Sequence, residues 1–126
     1  MARPGSLKAP DQPTEETVDS ATEQTARLFL QRVREHYDLA GALLYGSRAR
    51  RDAGRESDAD IAVLLRGASG ARADAALEMA GIAFDVMLET GVLVDAIPFW
   101  EGEWDHPERF ANPALIANIR REGVPL

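Results

Sequence analysis

The sequence predicts an α/β domain: a short mixed or antiparallel sheet of about three to five strands, with helices mainly on one face. Apolar residues recur at helical spacing before residue 37 and again after residue 71, which is typical of helices with one buried face. Short runs rich in β-branched and aromatic residues lie between and after these stretches. Glycine or proline separates most of these runs, as expected for strands joined by turns.

Length and composition limit the classes of protein to be considered. With 126 residues, the chain suits one compact domain. Residues 1–19 are rich in Pro, Thr and Glu, so we expect a disordered tail there and a single domain over residues 20–126. The formal net charge of −7 argues against general nucleic-acid binding, which needs basic surface.

Other compositional features concern redox chemistry and location. No cysteine occurs, which excludes disulfides, thiolate metal sites and a cysteine nucleophile. No apolar run has the length of a membrane span, and the N-terminus does not have the pattern of a signal peptide. We therefore expect a cytoplasmic protein that does not bind membranes.

Helical periodicity predicts three helices. The first covers residues 20–37 and the last begins at Asn112-Pro113, a capping residue followed by a first-turn proline. The second covers residues 71–90 and ends at Gly91. Its apolar stripe predicts a buried helix and consists of Ala76, Leu77, Ala80, Phe84, Met87 and Leu88.

Strands are predicted at residues 42–45, 58–65 and 91–100, and residues 101–110 are predicted to be irregular. Pro98 places the third strand at an edge or marks its end, because proline donates no ladder hydrogen bond. The first strand ends at Gly46-Ser47, and the second opens with two aspartates separated by one residue, Asp58 and Asp60. Since side chains alternate across a strand, these two carboxylates project from the same face.

This arrangement suits the binding of phosphates together with a metal ion. Neighbouring carboxylates repel each other, and a hard divalent cation such as Mg²⁺ relieves the repulsion. Gly46 allows close backbone approach, Ser47 adds a hydroxyl, and the amides of the next helical turn favour an anion. A solvated hairpin with turn-forming aspartates is the alternative, but it leaves two acids at the head of a buried strand unexplained.

Gly46-Ser47, ten residues, and then Asp58-Ala59-Asp60 resembles the signature of the minimal nucleotidyltransferases, small members of the DNA polymerase β-like superfamily. The resemblance implies the polymerase β-like nucleotidyltransferase fold. It also implies transfer of a nucleoside monophosphate, AMP from ATP, to a hydroxyl acceptor. Two Mg²⁺ ions about 3.5–4 Å apart would stabilise the attacking and leaving oxygens. By the same resemblance Asp58 and Asp60 hold the ions, and Gly46 and Ser47 bind the triphosphate.

The same family commonly uses a third acid, and the sequence offers two. Asp95 lies in the predicted third strand, whereas Asp85 lies in residues 81–88, which is a strand only if the second helix is wrong. The length of the periodic run favours the helix and therefore Asp95 as the third catalytic and metal-binding carboxylate. Arg48 and Arg50 are candidates for phosphate contact, with surface solvation as the alternative.

The resemblance also suggests an acceptor. Minimal nucleotidyltransferases of the antitoxin type commonly attach AMP to a tyrosine of a helical HEPN-type toxin, so such a partner is expected here. The acidic residues 101–108, with Trp100 and Trp104, are a candidate docking segment. The two tryptophans could stack on a nucleotide base or on a partner, or they could pack at the rim of the sheet. Two alternatives are a non-catalytic antitoxin or nucleotide-binding module, and an aminoglycoside-type small-molecule transferase.

Overall fold

Helices and strands alternate along the part of the chain that the computed structural model describes, residues 19–50 and 57–126. Most of the expected tail, residues 1–18, lies outside the described residues. In chain order the elements are α1 (Ser20–Val33), β1 (Leu39–Tyr45), α2 (Ser47–Arg50), β2 (Ala59–Leu65), α3 (Arg72–Thr90), β3 (Val94–Trp100), α4 (Glu101–Asp105), a 3-10 turn (Pro107–Arg109), α5 (Pro113–Glu122) and β4 (Val124–Pro125).

The described strands form one mixed sheet in the order β3-β2-β1-β4. β1 pairs antiparallel with β2 and with β4, and β2 pairs parallel with β3. A parallel pair needs a crossover connection, which α3 supplies. β3 lies at the edge of the sheet, as Pro98 predicted. The expected α/β class with a short mixed sheet is confirmed.

Helices cover both faces of the sheet. The long helices α1 and α3 pack on one face around a core that includes Phe29, Leu44, Ile61, Met79 and Val86. On the other face a smaller cluster joins β2 and β3 to α5 and consists of Ala62, Phe99, Ile116 and Ile119. The expectation of helices mainly on one face therefore holds only for the two long helices. The short C-terminal ones bury an apolar patch of their own on the opposite side.

Local signals explain the ends of the helices. Asp19 caps α1, because its Oδ1 accepts a hydrogen bond from the Thr22 amide at 2.7 Å. This helix ends at Val33, earlier than predicted, and a turn follows it. Asn112 caps α5 through the Leu115 amide at 3.3 Å, so the predicted start of the last helix is correct.

The burial predicted for the second helix is wrong. α3 spans the predicted residues, but its buried positions are Ala75, Met79, Ala83 and Val86. Most of the predicted stripe faces outward: Leu77 is 75 % exposed, Leu88 68 % and Phe84 54 %. Apolar residues recur at helical spacing on both sides of this helix, and periodicity alone does not tell which side meets the sheet.

Two short elements were not predicted. The segment expected to be irregular contains α4, which begins where the Trp100 amide donates to Oε1 of Glu103 at 3.1 Å. The strand β4 has two residues, one of them proline, which is too short for any strand pattern. Within residues 19–50 and 57–126, no helix combines the length and the apolar character that crossing a bilayer requires.

Candidate functional site

Three side chains of the candidate site form one row across the sheet. Tyr45 of β1 pairs with Asp60 of β2, and Asp60 pairs with Asp95 of β3. Paired residues of neighbouring strands project to the same face, so the two carboxylates and the phenol lie side by side. Asp58 precedes β2 by one residue and is exposed. The sheet thus places Asp60 beside Asp95, and Asp58 lies near enough for its charge to act on Asp60.

The Gly46 turn lies directly against this row. Gly46 has a φ of 78°, a left-handed conformation that favours glycine. A Cβ at this position would lie 3.3 Å from the Asp60 Cγ and closer still to its Oδ2. The backbone between β1 and α2 therefore touches the Asp60 carboxylate, and any group bound by the Gly46-Ser47 turn is adjacent to the acids.

The row is a concentration of negative charge. Burial raises the pKa of the Asp60 carboxyl, and the charges of Asp95 and Asp58 raise it further. Arg50 acts in the opposite direction and lowers that pKa. Burial also raises the pKa of the Tyr45 phenol well above its usual range, and the charges of Asp60 and Asp95 add to this effect. The folded chain therefore disfavours an ionised Asp60 unless a positive charge is present nearby.

The donor groups of the row fit a hard divalent cation. Carboxylate oxygens are the ligands that Mg²⁺ prefers, and this ion usually takes further ligands from water and substrate phosphates. In the described part of the chain, no three His, Asp or Glu side chains lie close enough together to form a metal-binding cluster by themselves. Binding here would therefore rely on a pair of carboxylates and on oxygens supplied by a bound phosphate group.

Arg48 is buried, with only 6 % of its surface exposed. Its Nε donates to the Ser57 carbonyl at 2.8 Å, and its Nη1 donates to Thr22 Oγ1 at 2.8 Å. These bonds join the start of α1, the helical turn α2 and the segment that leads to Asp58. The alternative hypothesis that Arg48 is a solvated surface residue is therefore wrong. The sequence did not indicate that Arg48 is buried, because Arg48 is one of several arginines in an arginine-rich run.

Arg50 remains at the surface beside the acids. Its Nη1 lies 3.1 Å from the Glu122 Oε1 of α5, and its charge reaches Asp60, whose pKa it lowers. The positive charge of Arg50 would therefore attract an anion that binds near the row. The predicted contact of Arg48 and Arg50 with phosphate stays a prediction.

The two candidates for the third acid lie on different elements. Asp95 follows the first residue of β3 and belongs to the row. Asp85 is exposed on α3, and α3 covers the opposite face of the sheet. The preference for Asp95 is therefore supported by its position, while its catalytic role stays a prediction.

The two tryptophans pack within the protein. Trp100 is buried, and the Arg72 guanidinium lies 5.4 Å from its ring centroid. The Trp104 ring lies 5.6 Å from that of Phe99, and the Arg120 guanidinium covers it at 4.8 Å. Of the two roles considered for these side chains, the structure favours packing at the rim of the sheet over stacking on a base or partner.

Comparison with known proteins shows the family of the chain. The family model described as "Nucleotidyltransferase domain" matches residues 26–122, a range that includes the Gly46-Ser47 turn and all three aspartates. No similar sequence was found among curated proteins. A solved structure of a candidate nucleotidyltransferase from Sulfolobus solfataricus is similar at 24 % identity and a TM-score of 0.49, covering 87 % of this chain and 88 % of that one. The chain belongs to the nucleotidyltransferase domain family, and nucleotidyl transfer is its class of reaction.

Proposed function

We propose that this chain is a minimal nucleotidyltransferase that moves AMP from ATP to a tyrosine hydroxyl of a helical HEPN-type toxin and thereby acts as an antitoxin. The observation that carries the transfer reaction is the row of Tyr45, Asp60 and Asp95 with the Gly46 backbone against it. The choice of donor, acceptor and partner is supported by the resemblance of the motif to minimal nucleotidyltransferases.

The triphosphate binds at the turn between β1 and α2. Gly46 presents backbone with no side chain in the way, and Ser47 adds a hydroxyl at the first position of α2. The first amides of a helical turn have no partner within the helix and favour an anion. Arg50 lies close enough to lower the pKa of Asp60, and its positive charge stabilises additional negative charge beside the same turn.

Pairs of carboxylates from Asp58, Asp60 and Asp95 would hold Mg²⁺, together with oxygens of the bound phosphates. The raised pKa of Asp60, caused by burial and by the other two carboxylates, supports this assignment because a bound cation reverses the repulsion. When bound, Mg²⁺ neutralises the charge that develops on the attacking and leaving oxygens. The protein contributes the fixed positions of the carboxylates on two paired strands and keeps Asp60 half-buried.

In the reaction the acceptor oxygen forms a bond to the α-phosphorus of ATP. The bond from that phosphorus to the bridging oxygen breaks, and pyrophosphate leaves with its electron pair. The proton of the acceptor hydroxyl passes to a carboxylate, for which Asp95 is the candidate because it is exposed at the end of the row. Positioning and charge supply most of the catalysis in such a transfer.

The described elements support an acceptor that is itself a protein. Asp60 and Asp95 lie near the starts of β2 and β3, beside the end of β1. Asp58 and Asp95 are exposed there, so a tyrosine carried by a partner can reach these strand ends. The acidic residues 101–108 are a candidate contact, although Trp100 and Trp104 are already packed within the protein.

Incubation with radiolabelled ATP tests the proposal. The purified chain, Mg²⁺ and the product of the adjacent gene are combined with ATP labelled at the α- or the γ-phosphate. We expect α-label on a tyrosine of that product and no γ-label. The Asp60→Asn variant should lose the transfer, whereas Asp38→Asn, a change of an exposed aspartate at the opposite end of β1, should not.

Other results favour the alternatives. A tight complex that carries no label, and forms equally with Asp60→Asn, would indicate a non-catalytic antitoxin or nucleotide-binding module. Label on an aminoglycoside in the absence of any protein partner would indicate a small-molecule transferase. Either result would overturn the proposed acceptor.

A further inference from the structure

The outer face of α3 carries an apolar seam that the described chain leaves uncovered. Leu77 is 75 % exposed, Phe84 54 % and Leu88 68 %, and Gly81 lies between them. We call these four residues the α3 seam. Their spacing of four, three and four residues places them in one line along the helix, and it is the spacing by which two helices pack side by side.

No contact within the described chain explains why residue 81 is a glycine. A glycine in an exposed helix is less favourable than alanine, because it loses more backbone freedom on folding. A Cβ at Gly81 would meet no described atom within 4 Å, so no contact of the folded chain requires its absence. In the middle of a seam, however, a missing side chain allows the backbone of a second helix to come close.

Acidic residues follow one side of the seam: Asp74, Glu78, Asp85 and Glu89. Two of these four already have partners. Tyr37 donates to Glu78 at 2.8 Å, and Arg32 lies 2.6 Å from Glu89.

The other two acids remain available to a partner. Asp74 and Asp85 are exposed and have no ion-pair partner among the described residues. At 100° per residue along a helix, they are the acids nearest to the seam. The surface therefore combines apolar anchors with two available negative charges on one flank.

We propose that the α3 seam binds an amphipathic helix of a partner protein, whose apolar residues pack on Leu77, Phe84 and Leu88 and whose Lys or Arg side chains pair with Asp74 and Asp85. Helix-on-helix recognition of this kind uses anchors at the spacing that the seam shows. The inference does not rest on the proposed function. α3 covers the face of the sheet opposite to the row of acids, so a docked helix leaves that row open.

Charge argues against a second copy of this chain as the occupant. In an antiparallel pair of α3 helices related by twofold symmetry, the acidic flanks would lie on the same side and repel each other. In a parallel pair each acidic flank would face the alanine-rich flank, Ala73 and Ala80, and gain no ion pair. Each copy also carries a formal net charge of −7. A basic helix satisfies both features of the surface, whereas a second copy satisfies only the apolar one.

Binding of designed peptides to the full chain tests the proposal. One labelled peptide has three heptads with leucine at the apolar positions and lysine at the flanking positions, and its matched control has glutamate at the flanking positions. Fluorescence anisotropy gives the two dissociation constants. We expect the lysine peptide to bind at least about tenfold more tightly, because it alone complements the acidic flank.

Variants locate the binding site. Phe84→Ala should weaken the lysine peptide about tenfold by removing an aromatic anchor. Gly81→Gln should weaken it as well, although the free helix becomes no less stable, because the new side chain blocks close approach. Asp85→Lys should weaken the lysine peptide and strengthen the glutamate peptide. Asp105→Lys makes the same charge change on α4, away from the seam, and should have little effect. Circular dichroism confirms that each variant is folded.

Three results would overturn the proposal. The first is equal affinity for the two peptides. The second is an effect of Asp105→Lys as large as that of Asp85→Lys, which would show only general attraction to an acidic protein. The third is a dimer in sedimentation equilibrium that Phe84→Ala dissociates, which would make a second copy the occupant of the seam.

Discussion

Gly46 and Asp60 are in direct contact, and any side chain at residue 46 would force the Asp60 carboxylate to move. A Cβ on Gly46 would lie 3.3 Å from the Asp60 Cγ. The φ of 78° at Gly46 also disfavours any residue other than glycine. Because the turn belongs to the proposed phosphate site and the acid to the proposed metal site, one substitution disturbs both.

Gly46→Ala should therefore lower stability and abolish nucleotide binding. The left-handed backbone alone costs about 1–2 kcal/mol for an L-residue, and the clash with Asp60 adds to it. Gly67→Ala is the matched control, since Gly67 has a φ of 94° but nothing within 4 Å of a Cβ. Urea denaturation measures stability, and calorimetry with ATP and Mg²⁺ measures binding. Unchanged ATP binding by Gly46→Ala would separate the turn from the nucleotide site.

Asp60→Asn should stabilise the metal-free protein at neutral pH. The pKa of Asp60 is raised in the folded state, so folding disfavours its ionised form. The stability that wild-type Asp60 contributes is fully present below the pKa of the unfolded chain, near the ordinary aspartate pKa of 3.8. It is lost as the pH rises through the folded pKa. Asparagine keeps the shape of the side chain and removes its charge. The stability of the variant relative to the wild type should therefore increase over the same pH range.

Thermal unfolding as a function of pH, without divalent ions, measures this difference. At the acidic end the two proteins should melt at similar temperatures, and at neutral pH the variant should melt higher. Adding Mg²⁺ should raise the melting temperature of the wild type and leave that of Asp60→Asn nearly unchanged, because a ligand stabilises the state that binds it. A wild type that melts higher than the variant at neutral pH without Mg²⁺ would contradict the charge argument.

Arg48→Met should destabilise the fold and reduce transfer. The substitution removes the donors that lie 2.8 Å from the Ser57 carbonyl and the Thr22 hydroxyl. Thr22 is fully buried, and a buried polar group that loses its partner costs about 1–3 kcal/mol. The segment leading to Asp58 also loses its tether. Arg34→Met, at an exposed position after α1, should leave the stability and the rate of transfer close to those of the wild type. Denaturant titration gives the stability, and a loss of transfer rate without any loss of stability would point to direct contact with phosphate instead.

Asp95→Asn and Asp85→Asn should differ sharply in catalysis. Asp95 lies in the row beside Asp60, so its loss should reduce transfer by about 10²-fold or more, the usual cost of a catalytic acid or base. Asp85 is exposed on a helix that covers the other face, so its change should leave kcat unaltered. Rates are compared at saturating acceptor, because a change in docking then affects KM alone. A larger loss with Asp85→Asn would reverse the choice of the third acid.

The candidate site was more predictable from the sequence than the surface of α3. Two features were local: the ten-residue spacing between Ser47 and Asp58, and the period-two placement of Asp58 and Asp60. The burial of Arg48 and the orientation of α3 depend instead on contacts between elements distant in the chain. Leu77 and Met79 both fit a helical stripe, and only packing on the sheet decides that Met79 is buried.

Gly81→Ala should make the free protein more stable. Alanine is favoured over glycine in a helix interior by about 1 kcal/mol, and the position is open, with nothing within 4 Å of an added Cβ. The neighbouring Ala80, also exposed on α3, supplies the reverse control, since Ala80→Gly should lower stability by a similar amount. Chemical denaturation of the two variants and the wild type measures both changes. If Gly81→Ala proved destabilising, the fold itself would require this glycine, and Gly81 would no longer support close approach of a partner helix to the α3 seam.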